Sequence, residues 1–381
     1  MDAVAVDAWL LNLPLERPYR LAFGPVAELD TVLVRVTLAS GDAGWGEATL
    51  LTGYTDETVA GTWTKVLEFL GEPPSRLAAL LDGHDASHPF LTTAFRTAFE
   101  MAAGSPLLEV GGSREAPVRV PVLGLLQGEG SGALESEVDR LVDAGYGTLK
   151  LKVGFDAAAD ARNVEVAQRR LAGRARLRID ANQGYRVADA CAFVRGIATE
   201  CIELFEQPCA AGDWDSHLAV AEIARVRGLP LMLDESIYSL NEIERAAALD
   251  AARFIKVKLM KFNSLARLDA AIARIGELGM TAVLGNGVAN ELGCWMEACV
   301  ASRRINNAGE MNGFLKPRDK LFVQPLRFAH GAIELIAGET PVIDLDKLSS
   351  LALARASQYP SRGRSQPPAD SIPKQLPVEA P

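Results

Sequence analysis

Histidine, cysteine and long apolar runs are all scarce in this chain of 381 residues, and each scarcity narrows the function. There are four histidines and five cysteines. Cys191, Cys201, Cys209, Cys294 and Cys299 show no C-x-x-C spacing. Neither a disulfide framework nor a zinc site is therefore expected; buried thiols in a reducing cytoplasm are. No apolar stretch is long enough to cross a bilayer. The first residues, MDAVAVDAWLLNLPLE, carry acids early and lack a basic segment, so no signal peptide is read there. Positive charge is not in excess: 39 Lys and Arg stand against 49 Asp and Glu, a net charge of −10. That balance argues against nucleic acid and against an anionic membrane surface as partners. What is present is 49% apolar and 23% charged residues, the make-up of a soluble, cytoplasmic, enzyme-sized protein.

A repeat organises the middle of the chain. Between residues 148 and 261 the runs TLKLKVG, LRIDANQGY, IELFEQP, PLMLDES and FIKVKLMK follow one another. Each is short, aliphatic and closed by a polar or charged residue, the pattern of a buried strand. The closing residues Lys152, Asp180, Glu206, Asp234 and Lys258 lie 28, 26, 28 and 24 residues apart. That spacing holds one strand, one helix and two loops, and segments 159–171 and 265–278 between the runs have helical periodicity. Strand–helix units repeating this way imply parallel strands with right-handed crossovers. Continued on both sides, the period gives about eight units, a (β/α)8-type TIM barrel. Its strand ends open on one face, so the five charges converge there.

Three carboxylates from successive strand ends, Asp180, Glu206 and Asp234, make a hard oxygen site suited to Mg2+, with Mn2+ as the alternative. Asn182 lies two residues past Asp180 and faces the same way if strand geometry persists. Lys150 and Lys152 share one face of their strand. Two ammonium groups beside a divalent cation repel a proton, so at least one of their pKa values should fall, giving a general base. Lys258 closes the sixth strand, across the ring from Lys152, so each lysine can address one face of a substrate α-carbon. Spacing favours Lys258 over Lys256, and Lys261 lies past the strand end.

The flanks follow other rules. Residues 1–115 read as strands (3–13, 31–38, 44–48) followed by helices (56–70, 88–101), an α+β domain. Two loops in it, 19–26 and 50–58, are rich in aromatic and small residues. The barrel is expected over 116–320, with its first strand at 119–126, its seventh at 281–284 and a poorly patterned eighth at 307–311. Residues 321–355 are expected to return to the N-terminal domain, and the Pro-rich stretch 356–381 to be a disordered tail.

K-x-K, IDAN, FEQP, DES and the second lysine, in this order and spacing, resemble the enolase superfamily, in its muconate lactonizing enzyme (mandelate racemase/muconate lactonizing enzyme) subgroup. The resemblance spans roughly residues 5–345. It implies a capping domain on a modified (β/α)7β-barrel and a homo-oligomer. It also implies a Mg2+-dependent enzyme that removes the α-proton of a small-molecule carboxylate through a metal-stabilised enediolate. By resemblance, Asp180, Glu206 and Asp234 are metal ligands, Lys152 and Lys258 the acid/base pair, and Lys150 steadies the substrate carboxylate. Asn182, Glu235, Asn286 and Glu310 are supporting or substrate-binding candidates, joined by Phe23 and Tyr54 from the cap loops. No histidine lies near strand seven or eight, which disfavours the mandelate racemase subgroup. The chain also departs from the dipeptide epimerases. Ala289 stands where an acid is usual, and Gly309-Glu310-Met311 replaces D-x-D. Gly24 occupies the place of an arginine in alanine–glutamate epimerases, while Glu310 resembles the strand-eight glutamate of cycloisomerases. Arg17, Arg20 and Lys316 are candidate anion anchors. The expected reaction is racemisation or epimerisation of an amino-acid derivative or related acid. Muconate-type cycloisomerase, o-succinylbenzoate synthase and dehydratase are alternatives on the same scaffold; a barrel retained for binding alone, or for phosphate, accounts for fewer of these residues.

Overall fold

The structure is a computed structural model that describes residues 3–21, 24–51, 53 and 55–359, with the side chains of residues 19–21, 24 and 25 excepted. An antiparallel capping sheet comes first: β1 (Ala3–Leu21), β2 (Gly24–Leu38) and β3 (Ala43–Leu50). β1 and β2 stay paired as far as Leu21 and Gly24. The expected loop 19–26 is thus mostly the end of a long hairpin. Alternation in β2 sends Val32, Val34 and Val36 into the cap core. Gly44 and Gly46 let helix Pro89–Ala102 lie directly on β3. A Cβ at Gly46 would stand 1.8 Å from the Ala94 carbonyl oxygen, and one at Gly44 2.3 Å from that of Ala98.

β4 (Val118–Pro121) is not part of the barrel wall, although 119–126 reads as one strand. The chain bends at Val122-Leu123, and the first barrel strand is the shorter β5 (Gly124–Leu126). Then follow β6 (Thr148–Lys152), β7 (Arg176–Asp180), β8 (Ile202–Glu206), β9 (Leu231–Leu233), β10 (Phe254–Val257) and β11 (Thr281–Leu284). They form one parallel sheet in sequential order. Helices between them cover the outside, several with a side-chain N-cap: Asp156, Asp213, Ser239 and Ser264 each accept a backbone N–H. The eighth strand is reduced to a bridge. Gly309 pairs with Val122, and the Glu310 N–H donates to the Leu284 carbonyl at 3.0 Å, which closes the ring between β11 and β5. The modified barrel with its capping sheet is therefore present as expected. β12 (Phe328–Ala329) and β13 (Ala332–Leu335) pair with β4, and β14 (Ala352–Gln358) runs antiparallel to β1. From residue 360 the expected tail lies outside the described residues. Four cysteines are buried as expected, but Cys201 is exposed. Among the described residues no helix is long and apolar enough to cross a membrane.

Helix Glu291–Arg304 joins cap to barrel. Glu47 on β3 accepts the Asn290 N–H at 2.5 Å and the Gly293 N–H at 3.1 Å, satisfying donors that a helix start leaves open. One turn on, Glu297 is buried and accepts from Asn286 Nδ2 at 2.7 Å. Burial pushes its carboxyl up to about 8, against a smaller opposing pull from Asn286.

Two outcomes follow. Glu47→Ala should destabilise the fold by about 2–3 kcal/mol in urea titration, because buried N–H groups lose a charged acceptor; an unchanged midpoint would show that this junction contributes nothing. Glu297 has a folded-state pKa above its unfolded value, so its contribution is fully present below about pH 4.5 and is lost as pH rises towards about 8. Glu297→Gln should therefore match wild type near pH 5 and exceed it near pH 9, by on the order of 2 kcal/mol. Equal wild-type-to-variant gaps at both pH values would refute this.

Candidate active site at the barrel mouth

Of the charged strand ends only Lys152 faces water. Asp180 and Glu206 are fully buried, and Asp234, Lys150, Lys256 and Lys258 nearly so. Four of the inward side chains come from alternate positions of the ring. Lys150 lies on β6, Glu206 on β8, Lys256 on β10, and Glu310 at the eighth, bridge position. In a barrel, alternate strands fill one interior layer, and here the layer is charged with alternating sign. Lys150 Nζ is 2.8 Å from Glu206 Oε2 and 2.7 Å from Glu310 Oε1. Lys256 Nζ contacts Glu206 Oε1 and lies 2.8 Å from Glu310 Oε1. The four ion pairs close into a ring. Deeper in the barrel, the fully buried Arg178 pairs with Glu203 at 2.6 Å and donates to the Ala308 carbonyl at 2.7 Å.

Above the ring stand two further amines. Lys152, half exposed, lies 2.6 Å from Asp180 Oδ2. Lys258 Nζ lies 2.8 Å from Asp234. Their strands, β6 and β10, are four places apart in a ring of eight. Lys261 was expected to lie outside the site because it is past the strand end. It is in fact buried, 2.8 Å from Asp234 Oδ1, because the short helix Leu259–Phe262 turns it back. Asn182 also reaches the site, but not by strand geometry. The strand has ended, and a left-handed residue with φ of +41° brings its Oδ1 to Lys152. Its Nδ2 donates to Glu235 Oε1 at 3.0 Å. Glu235 therefore borders the mouth.

Electrostatics follow these contacts. Burial alone would raise Asp180, Asp234 and Glu310, but the lysines outweigh it and hold all three carboxyls below their usual range. Burial and the neighbouring Asp180 push Glu206 the other way. Burial works to lower the Lys150 ammonium, yet Asp180, Glu206 and Glu310 together hold it well above its ordinary value. Burial does lower Lys261, to about 8.

Several residues that set this geometry carry no signal in the strand pattern. Gln207 Oε1 accepts the Asp234 N–H at 2.9 Å, and its Nε2 donates to Ser236 Oγ at 2.8 Å, where His217 Nε2 also bonds at 3.0 Å. Asp160 Oδ2 accepts from the N–H groups of Gly154, Phe155 and Asp156 and from the Tyr185 hydroxyl, fixing the loop after Lys152. At Gly285 a Cβ would stand 2.8 Å from Lys256 Cδ and 3.1 Å from Lys258 Cε, so a glycine there makes room for both side chains.

Other candidates fall elsewhere. Asn286 turns to Glu297 and Cys294 on helix Glu291–Arg304. Arg17 is exposed, and Lys316 is half-buried, with its Nζ 2.9 Å from Asn312 Oδ1 and lowered by burial to about 8. Phe23 and Tyr54, and the side chain of Arg20, lie outside the described residues. A cavity of about 860 Å3 opens at the opposite end of the barrel, lined by Thr148, Arg176, Glu203 and Thr281 at the strand starts. It holds none of the carboxylates or lysines of the mouth.

A hard divalent cation suits the donor set: three buried carboxylates on neighbouring strands. Glu206 Oε2 accepts no hydrogen bond, since Lys150 Nζ, although 2.8 Å away, is off the bonding direction. Among the described residues the acids are drawn to lysines and do not stand in a metal-holding cluster of three. By the chemistry of the donors, Asp180, Glu206 and Asp234 fit the ion.

Comparison with known proteins agrees with the fold. The family profile "Enolase C-terminal domain-like" matches residues 133–339. An L-Ala-D/L-Glu epimerase of Bacillus subtilis is 28% identical over 80% of this chain and 86% of its own. A chloromuconate cycloisomerase of Cupriavidus pinatubonensis is 28% identical over 91% and 97%. A dipeptide epimerase of Cytophaga hutchinsonii, solved with Mg and the dipeptide D-Ala-L-Val, superposes with a TM-score of 0.80 at 20% identity, over 94% of this chain and 100% of that one. With the profile spanning more than half of its residues, the chain belongs to the enolase superfamily, in the mandelate racemase/muconate lactonizing enzyme family.

Proposed function

We propose that this enolase-superfamily enzyme is a two-base racemase or epimerase of an amino-acid derivative or related carboxylic acid. The observation that carries the reading is the placement of Lys152 and Lys258 on strands four apart in the ring, each beside a different buried aspartate. Asp180, Glu206 and Asp234 would hold Mg2+, and the chemistry the ion supplies when bound is a Lewis-acid pull on the substrate carboxylate that acidifies its α-carbon. A neutral lysine on one side takes the α-proton, and the ammonium on the other returns a proton to the opposite face. Lys150 is already committed to three acids, which fits it to electrostatic support of the carboxylate rather than to proton transfer. Lys261 steadies Asp234.

Cycloisomerisation is the second reading. It is favoured by Glu310 and Ala289, since the one strand-eight acid is taken up by two lysines and the strand-seven acid is missing. A substrate ammonium would then find no acid of its own there. Other reactions of the scaffold, o-succinylbenzoate synthesis and dehydration, need only one face of the α-carbon.

Candidate N-acyl amino acids, dipeptides and muconates incubated with Mg2+ in D2O, and followed by NMR, separate these. Racemisation exchanges the α-proton with loss of configuration. Lys258→Ala and Lys152→Ala should each lower racemisation by about 100-fold or more, while each retains exchange from the face served by the surviving lysine. Full activity in Lys258→Ala would end the two-base scheme.

A further inference from the structure

Lys256 has no task in that reaction, yet at 1% exposed it is among the most deeply buried charges in the molecule. Its Nζ touches Glu206 Oε1, lies 2.8 Å from Glu310 Oε1 and reaches to 3.6 Å from Asp234 Oδ2. It therefore spans two of the three carboxylates assigned to the divalent ion, on the side opposite Lys150, which spans Asp180 and Glu206. Gly285 leaves the space that its stem occupies. We propose that Lys256 is a tethered cation in the metal site: it holds Glu206 and Asp234 in place before the divalent ion arrives, and it weakens the ion's binding.

The physical reason is the cost of like charges in a dry cavity. Carboxylates facing one another from neighbouring strands repel, and burial adds to that cost. A dissociable ion relieves the repulsion only when bound. An ammonium fixed to β10 relieves it at all times, so the mouth keeps its shape without the ion. The same ammonium then stands within reach of two ligand carboxylates and opposes the incoming positive charge. Glu310 offers it a second partner on the far side, so Lys256 can remain paired once Glu206 and Asp234 are engaged. The inference rests on the ligand assignment above, but not on which reaction the enzyme performs.

Calorimetric titration with Mg2+ tests it, using the full chain as wild type and as Lys256→Met, alongside thermal melts in EDTA and in saturating Mg2+. Lys256→Met should bind Mg2+ at least tenfold more tightly, equivalent to about 1.4 kcal/mol. It should also melt lower than wild type in EDTA and recover with Mg2+, whereas wild type should melt at nearly the same temperature in both. Should Lys256→Met not fold, Lys256→Met with Glu310→Gln removes both partners together, a milder change than stranding one, and should show the same tightening. Equal or weaker Mg2+ binding in either folded variant overturns the inference. So does a wild type that loses its structure in EDTA, a measurement that needs no variant. If wild type and variants alike bind no Mg2+, the ligand assignment fails too. Normal Mg2+ binding without α-proton exchange would sink only the proposed reaction.

Discussion

Four full charges in one interior layer of a barrel would be prohibitive singly, and the closed Lys150–Glu206–Lys256–Glu310 ring is what makes them tolerable. Each charge has two neighbours of opposite sign and none of its own sign across an edge. Taking any one alone from water into this interior costs several kcal/mol, which its two partners must offset. The ring thus constrains four strand positions at once and reinforces the closure at the eighth position, where backbone pairing is reduced to a bridge. Glu310 has only one backbone bond to β11, but its carboxylate is held by lysines from β6 and β10.

The amines above that layer inherit their positions from it. β6 carries Lys150 in the ring and Lys152 one step higher; β10 carries Lys256, and Lys258, just past its end in still-extended backbone, stands in the same relation. Fixing the lower lysine of each strand aims the upper one, because side chains two apart share a face. The loops complete the setting from outside. Asp160 braces the turn after Lys152, Gln207 ties the end of β8 to that of β9, and Lys261 folds back on Asp234. A frame built from strands and braced turns suits proton transfer, which needs reacting groups held to within fractions of an ångström.

Much of this was legible along the chain. The period of strand ends gave the barrel, and the polar residue closing each apolar run gave all three carboxylates and both upper lysines. What strand spacing did not show were the contacts of Lys256 and Lys261, for different reasons. Lys256 gains its meaning from Glu310 and Glu206, 54 and 50 residues away, and such pairings leave no trace in local periodicity. Lys261 lies past its strand, and only the one-turn helix Leu259–Phe262 and the left-handed Asn263 behind it return it to the mouth. Asn182 was placed correctly on a wrong premise, since a turn and not a strand delivers it. The split of 118–126 into β4 and β5 was hidden because both halves are apolar, and a bend between two apolar strands does not change the pattern.

Gly285 shows how one position couples the two sides of the site. It ends β11 beside β10, and its missing Cβ is the space filled by the stems of Lys256 and Lys258. A larger residue there would press on a lysine of the ring and on an amine of the mouth together. The next residue, Asn286, is turned away to Glu297, so the end of β11 offers the cavity no polar side chain from either position. The seventh strand therefore contributes room, and the sixth contributes charge. On the proposed reading, discrimination among substrates falls to other rims of the mouth, among them the segment after Glu310, where Lys316 stands lowered by burial. On that proposal chemistry is separated from selection in the fold: the strand ends hold the charges that would act on any carboxylate, and the elements around them would decide which carboxylate arrives.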